Sequence, residues 1–314
     1  MSRSLAALLA LVALTPLAQA AHPESQEERM ERLRQAEVVV VSGSADHMEV
    51  VLRHAQVKFV VVNPEELPQL PLHGQQVLMV NCTGEMSAAA RERVRRFVTA
   101  GGFLYTTDHA VDHLIEKIFP GTIRWTRQTT NEEIFPMQVA GERGLLRHIG
   151  GAKGHPRWQL AGGGHPIEIV DKQRVEVLMS SREVGARYGT SVLGVRFRAG
   201  DGQVIHVTGH FFTQPGQRPE VSAAGQAFEQ LSSNVVKEKS EDRSRLDGLY
   251  NIAPRREVTM QAAPAPTAAA VSGAGGGTVS TQKALKVRVL ERKGDYARVR
   301  DAEGNEGYVP ADSL

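Results

Sequence analysis

The sequence contains one cysteine among 314 residues. A single cysteine cannot form an intramolecular disulfide, and it excludes zinc or iron–sulfur sites that need several thiolates. There is no excess of positive charge for binding nucleic acid, because 37 Lys and Arg residues face 35 Asp and Glu residues. Aromatic residues make up only 5%, but 41% of residues are hydrophobic and 23% charged. That composition excludes a coiled coil, a collagen and a fully disordered chain.

Long apolar runs are also scarce, and the one that stands out lies at the N-terminus. Arg3 precedes an apolar stretch at residues 5–17, and Ala18-Gln19-Ala20 places small residues before a cut at Ala21. This order is typical of a secretory signal peptide, and the stretch is short for a membrane span. An uncleaved N-terminal anchor is the alternative. We expect a signal peptide at residues 1–20, a periplasmic or secreted protein, and no transmembrane segment after cleavage.

The first half of the chain alternates apolar strands with helices. After a charged, helical lead-in at residues 21–35, buried strands are predicted at residues 37–44, 58–63, 76–81 and 103–107. Ser87 is placed to cap a helix that runs to Ala100, and the arginines of that helix indicate a solvated face. Continuous apolar strands that alternate with helices predict an α/β domain at residues 36–237. Its parallel sheet would carry helices on both faces, as in flavodoxin-like folds.

The second half is less regular. Residues 191–209 predict a β-hairpin that turns at Gly200-Asp201-Gly202, and residues 219–237 predict a closing helix. Residues 238–278 are charged and then rich in Ala, Pro and Gly, a composition typical of a flexible linker. Residues 279–314 predict a small all-β module, with a turn at Gly304-Asn305 and with Tyr296 and Tyr308 as candidate contact residues.

Several segments resemble a known superfamily. Asn81-Cys-Thr-Gly-Glu85, Arg96-Phe-Val-Thr-Ala-Gly-Gly-Phe-Leu104, Gly164-His-Pro-Ile167 and Val207-Thr-Gly-His210 are similar to segments of the class I glutamine amidotransferase-like superfamily. The closest likeness is to its trehalose-utilization-type and uncharacterised exported members. The tail, with Arg298-Val-Arg300 and Gly307-Tyr-Val-Pro310, resembles a bacterial SH3-type domain. That resemblance implies a cell-envelope component or cell-wall peptide as the partner of the module.

The resemblance also indicates which activity is missing. True amidotransferases carry a nucleophilic cysteine on the turn after a strand, with a late histidine and glutamate as partners. Here the turn after residues 103–107 reads Thr106-Thr107-Asp108-His109, and Phe211-Phe212-Thr213 follows His210 where the family has its glutamate. Glutaminase chemistry is therefore not expected. Cys82 and His210 remain weak catalytic candidates, and a packed structural role is the alternative for Cys82.

The segment from Asp108 to His113 is the densest polar cluster. On a helix, His109 and His113 would project from one face. Asp108 or Asp112, with the distant His210, would complete a site for a divalent metal. The alternative is a pair of partly exposed histidines behind a helix cap formed by Asp108. The candidate ligand-binding residues are Asp108, His109, His210 and Thr83. No other cofactor is indicated.

Three functions remain open at this stage. The first is a non-catalytic exported domain that binds a small ligand, such as a sugar, or an envelope component, tethered by the SH3-like module. The second is a hydrolase that acts on carbohydrate or cell-wall material with help from a metal. The third is a protein–protein scaffold. Fold analogy alone does not decide among them.

Overall fold

The computed structural model describes residues 24–141, 144–149, 156–210, 223–273, 277–281 and 285–314. The expected signal peptide at residues 1–20 lies outside the described residues, and so does the segment that follows His210. Within the described ranges, no helix combines the length and the apolar character needed to cross a bilayer.

The helices are α1 (Gln26–Gln35), α2 (Met48–His54), α3 (Ala88–Thr99), α4 (Glu116–Ile118), α5 (Arg182–Tyr188) and α6 (Ala223–Leu249). A π-helical turn, Val111–Ile115, leads directly into α4. The strands are β1 (Val38–Val41), β2 (Val60–Val62), β3 (Val77–Val80), β4 (Phe103–Thr107), β5 (Ile123–Trp125), β6 (Glu133–Pro136), β7 (Gln138–Val139), β8 (Arg157–Leu160), β9 (Ile167–Ile169), β10 (Val175–Ser180), β11 (Val192–Ala199), β12 (Gly202–Val207), β13 (Val258–Thr259), β14 (Ser280–Thr281), β15 (Arg288–Lys293), β16 (Tyr296–Arg300) and β17 (Glu306–Pro310).

Eight strands form a mixed central sheet in the order β2-β1-β3-β4-β12-β11-β10-β7. The strands from β2 to β12 run parallel to one another, while β11, β10 and β7 join antiparallel. The expected hairpin is present as β11 and β12, and the expected α/β class is confirmed. The prediction of a wholly parallel sheet is wrong, because the hairpin reverses the chain inside the sheet and adds antiparallel strands beyond β12.

The two faces of the sheet bury separate cores, as the all-valine strand β1 illustrates. Val39 and Val41 pack in the core that includes Phe97 of α3. Val38 and Val40 point to the opposite face, into the core that includes side chains of α2 and α6. Because side chains alternate along a strand, a strand covered by helices on both faces is apolar at every position. This explains the uninterrupted apolar run of β1.

The closing helix is longer than expected. α6 continues from residue 223 to Leu249, through the charged residues that were assigned to a linker. Lys239 lies on it and is 2% exposed. Its amine donates a hydrogen bond to the Gly101 carbonyl at 2.7 Å and lies 4.6 Å from the centre of the Phe103 ring. Residues 238–249 therefore belong to the α/β domain.

The described part of the Ala/Pro/Gly-rich segment is paired with other parts of the chain. β13 pairs with β14, Ile252 pairs with Val287, and Gln261 pairs with both Ala270 and Tyr308. These contacts add the segment to the three-stranded antiparallel sheet β15-β16-β17. The described residues from 252 onward share one small core, whose fully buried members include Met260, Ala297, Val299 and Val309. The prediction of a flexible linker at residues 238–278 does not agree with this pairing. Composition alone does not reveal contacts between residues that lie far apart in the chain.

The β module packs against α3 of the α/β domain. Arg93 of α3 is 2% exposed, and its guanidinium donates to the carbonyls of Leu70 and Glu303 at 3.1 and 3.0 Å. One turn on, Arg96 donates to the side-chain oxygen of Asn305 at 3.0 Å. The expectation of a solvated basic face on this helix is wrong at these two positions, because the turn before β17 covers them.

Candidate functional site

The candidate site lies where β3, β4 and β12 end side by side. Cys82 follows β3, Asp108 follows β4 and His210 follows β12. These three strands are neighbours in the sheet and run parallel, so their carboxyl ends meet at one edge. Crevices at this edge are where open α/β sheets hold ligands. The sequence-based expectation that Asp108, His109 and His210 lie at one strand-end crevice agrees with this geometry.

Asp108 occupies the sharp turn between β4 and the π-helical turn. Its φ of 43° is in the left-handed region, which aspartate tolerates better than most residues. The carboxylate is fully buried. One oxygen accepts the backbone N–H of His165 at 2.6 Å, and the other accepts that of Gly209 at 3.0 Å. The carboxylate is thus held in a fixed orientation by main-chain donors from two separate loops.

Cys82 and His210 are in direct contact. The Cys82 Sγ lies 3.0 Å from the His210 Nε2, and the Asp108 carboxylate lies 3.8 Å from the same nitrogen. Burial, together with the nearby carboxylates of Asp46 and Asp108, raises the pKa of the Cys82 thiol. Burial lowers the pKa of His210, which leaves its imidazole neutral near pH 7. The apo site therefore holds a thiol and a neutral imidazole.

A stack of aromatic rings fixes the orientation of His109. The His109 ring lies on the His165 ring, with centroids 3.8 Å apart, and the other face of His165 lies on Trp125 at the same distance. The His109 Nε2 is 3.0 Å from the Gly163 carbonyl and 3.7 Å from an Asp108 oxygen. The stack and the contact with the Gly163 carbonyl therefore hold the His109 ring in one orientation at the crevice.

His113 lies apart from this cluster. Its Nδ1 is 3.2 Å from the carbonyl oxygen of Thr83, and its ring centroid is 6.2 Å from that of His109. Among the described residues, the group whose ligand atoms lie within 4.8 Å of one another is Cys82, His109 and His210. Of the metal set predicted from the sequence, Asp108, His109, His113 and His210, this group contains His109 and His210. It adds Cys82, and it leaves out His113, whose Nδ1 contacts the Thr83 carbonyl instead.

Two supporting residues are missing from the set that the sequence predicts. His165 Nδ1 is 2.9 Å from an Asp112 oxygen, and burial lowers the pKa of His165 more than Asp112 raises it. The second of these residues is Asp46, which is fully buried and accepts hydrogen bonds from the Cys82 N–H and the Thr107 hydroxyl. The resemblance of Gly164-His-Pro-Ile167 to its superfamily segment indicates the part of the chain that contains His165. Its partner Asp112, however, lies 53 residues away in the sequence. No local spacing reveals such a pair.

A cleft of about 220 Å³ adjoins the cluster at the ends of β1 and β3. Hydroxyl and carboxylate side chains line it together with apolar ones, among them Ser42, Ser44, Thr83, Glu85 and Met86. Since β2 and β3 lie on opposite sides of β1, this is the point where the strand order reverses. Thr83 lines the cleft and directly follows Cys82, so the cleft and the cluster are adjacent.

Comparison with known proteins gives distant similarities. No model of a protein family matches the chain, and no curated protein matches it. Among solved structures, a β-galactosidase from Bacillus circulans sp. alkalophilus is 14% identical, with a TM-score of 0.46 over 88% of this chain and 40% of that one. A cytoplasmic protein from Salmonella typhimurium is 10% identical, with a TM-score of 0.44 over 64% of this chain and 98% of that one. A putative ThuA-like protein from Bacteroides uniformis is 13% identical, with a TM-score of 0.43 over 65% and 92%.

The chain spans only part of the larger structures that it matches. It covers 40% of the β-galactosidase and 38% of an exo-β-1,4-mannosidase from an Opitutaceae bacterium. Solved structures similar to this chain thus include a ThuA-like protein, of the type that the sequence motifs resemble. With TM-scores under 0.5, these similarities carry no argument about activity.

Proposed function

We propose that the α/β domain binds a small polyhydroxylated ligand, a sugar, at the carboxyl edge of the sheet. The observation that carries the proposal is the cleft lined by Thr83, which lies at the strand-order reversal. Thr83 directly follows Cys82, which contacts His210. Hydroxyl and carboxylate groups such as those of Ser42, Ser44 and Glu85 offer donors and acceptors to sugar hydroxyls. Apolar Met86 and Pro64 provide surface for the carbon skeleton.

The proposal excludes glutamine amidotransferase activity. A buried aspartate stands at the turn where an amidotransferase of the resembled superfamily has its cysteine. The thiol of Cys82 lies on the neighbouring strand end, is fully buried, and has a raised pKa. A nucleophilic cysteine needs a lowered pKa and access to substrate. The second candidate function, a metal-assisted hydrolase, is favoured by the grouping of Cys82 with two histidines.

A panel of sugars tests the binding proposal. We expect that glucose, galactose, trehalose or N-acetylglucosamine raises the melting temperature of the full chain. Glu85→Gln is expected to remove that shift, because the Glu85 carboxylate lines the cleft. Asp247→Asn, at the far end of α6, is the control and should keep the shift. The absence of a shift with all four sugars, or a shift that persists in Glu85→Gln, contradicts the proposal.

We also propose that the protein is exported and that its β module, SH3-like by sequence resemblance, contacts the cell envelope. Two observations support a contact role: β15 forms an edge of the small sheet, and Tyr296 is half-buried rather than enclosed. Because the module packs on α3, a contact made by the module would hold the α/β domain close to the same surface. Co-sedimentation of the full chain with isolated cell-wall material should fall in Tyr296→Ala and persist in Tyr188→Phe. Equal sedimentation of Tyr296→Ala and the unaltered chain contradicts this role.

A further inference from the structure

We infer that Cys82, His109 and His210 form a binding site for a single divalent transition-metal ion of the zinc type. The inference does not rest on the proposed sugar binding, because none of the three ligands lines the cleft. It changes the ligand set that the sequence predicted, since it includes the only cysteine of the chain and omits His113.

The distances suit such an ion. A tetrahedral zinc site with Zn–S near 2.3 Å and Zn–N near 2.0–2.1 Å separates its ligand atoms by about 3.3–3.8 Å. The three candidate ligand atoms lie within 4.8 Å of one another, and the closest pair, Cys82 Sγ and His210 Nε2, is 3.0 Å apart. The group is therefore close to the size that one bound ion requires. Thiolate and imidazole together favour zinc or cobalt over magnesium or calcium, which prefer oxygen ligands.

The surrounding charges suit a cation. The carboxylates of Asp46 and Asp108 are both fully buried beside the cluster. Among the described residues, the ion-pair partners of Asp108 are His109 and His210 rather than a lysine or an arginine. Hydrogen bonds hold both carboxylates in place. Two negative charges beside the cluster favour the binding of a cation there over that of an anion.

The supporting contacts hold the ligands in place before any ion arrives. The ring stack with His165 and Trp125 fixes His109, and the N–H of Cys82 is held by Asp46. Such outer contacts orient metal ligands and raise affinity. With three protein ligands, the fourth tetrahedral position remains for water or a ligand atom, as in catalytic rather than structural zinc sites.

Cobalt spectroscopy on the full chain tests the site. The protein, without a histidine tag and after dialysis against a chelator, is titrated with Co²⁺ alone. Because the chain has one cysteine, any thiolate-to-cobalt charge-transfer band in the near ultraviolet reports Cys82. We expect one equivalent of Co²⁺ to bind with that band and Zn²⁺ to displace it. Binding without the band, or no binding, overturns the inference without the need for a variant.

Variants then identify the two histidines. His109→Ala and His210→Ala should each weaken Co²⁺ binding by more than about 100-fold, a larger loss than removal of an outer-shell contact causes. His113→Ala is the matched control: His113 lies four residues after His109 but outside the cluster, and its variant should bind within about threefold of the unaltered chain. Circular dichroism of the metal-free variants checks that they fold. An equal loss in His113→Ala and His109→Ala overturns the assignment.

Discussion

The Sγ of Cys82 lies 3.0 Å from the Nε2 of His210, although 128 residues separate the two in the chain. The contact exists because β3 and β12 both flank β4 and end at the same edge of the sheet. The pair resembles a catalytic cysteine–histidine pair only in the distance between the sulfur and the ring nitrogen. A catalytic pair needs a thiolate, whereas burial and the carboxylates of Asp46, Asp108 and Asp112 raise the pKa of this thiol.

The first prediction is that the protein lacks glutaminase activity. We expect no release of ammonia from glutamine, because a fully buried thiol with a raised pKa does not attack a substrate carbonyl. We also expect no covalent adduct when the chain is incubated with a reactive glutamine analogue, as measured by mass spectrometry of the intact protein. Cys82→Ser is the control. An adduct that forms on the unaltered chain and is absent from Cys82→Ser would contradict the prediction.

The second prediction concerns export. The apolar run and the Ala-x-Ala site predict that the N-terminus of the mature protein is Ala21, or His22 one residue later. N-terminal sequencing of protein from the native host measures this directly. Replacing Ala18 and Ala20 with larger residues should block the cut, because the site accepts small side chains. Recovery of intact Met1 in a membrane fraction would show that the segment is an anchor instead.

The sequence predicted the architecture of the first half well and the contacts of the second half poorly. Strands such as β1 carry their own signal, since burial on both faces leaves four valines in succession. The tail strands β16 and β17 were also visible, from alternation and from the turn at Gly304-Asn305. The pairing of Gln261 with Tyr308 carries no local signal. An Ala/Pro/Gly-rich composition therefore predicts flexibility even where the folded chain is paired.

The candidate site shows the same division. Asp108 and His210 were identified because each follows a predicted strand of a parallel sheet, and such strands end at one edge. The grouping of His109 with His113 follows from helical spacing, and the His113 N–H does donate to the His109 carbonyl at 3.2 Å. The contact of the His113 ring with the Thr83 carbonyl carries no such local signal. The stack of Trp125, His165 and His109 joins three separate segments, which no spacing in the sequence connects.

The third prediction is a pH dependence of stability that originates at Lys239. Burial, which outweighs the nearby Asp242 carboxylate, lowers the pKa of Lys239 to about 8 from its ordinary 10.5. Between these two values the unfolded chain binds more protons than the folded chain, so this residue makes stability rise as the pH rises. Below pH 8 the Lys239 amine is charged in the folded chain, and the full cost of burying that charge lowers the free energy of unfolding. This lowering of the pKa corresponds to a change of on the order of 3 kcal/mol in the free energy of unfolding.

Urea unfolding below pH 8 and near pH 10.5 measures the effect. We expect Lys239→Met to remove most of the rise in the free energy of unfolding across that window. Other groups that titrate at alkaline pH contribute equally to both proteins, so the difference isolates Lys239. Lys237→Met, an exposed position on the same helix, is the matched control and should keep the full rise. The same rise in Lys239→Met as in the unaltered chain would refute the assignment.

The fourth prediction is that Arg93 fastens the β module to the α/β domain. Its guanidinium donates to three main-chain carbonyls, those of Leu70, Leu72 and Glu303, and the last of these belongs to the module. Burial lowers the pKa of Arg93 to about 10, which still leaves it charged at neutral pH. Arg93→Met leaves these buried carbonyls without their donor. Since hydrogen bonds to a charged group contribute about 1.5–3 kcal/mol, we expect a loss of stability of about 3 kcal/mol.

Proteolysis separates a loosened module from a general loss of stability. In Arg93→Met, we expect cleavage within residues 252–285 at denaturant concentrations that leave the α/β domain folded. The reason is that the variant loses the hydrogen bond from Arg93 to the Glu303 carbonyl, in the turn before β17. Arg95→Met is the matched control: Arg95 lies on the same helix but pairs with Glu92 at the surface, where such a pair contributes little. If Arg93→Met and Arg95→Met resist the protease equally, the module is held by its other contacts, such as that between Arg96 and Asn305. If the module of Arg93→Met becomes cleavable only when the whole chain unfolds, the two parts form a single cooperative unit. In that case the loss of Arg93 does not separate them, which contradicts the prediction.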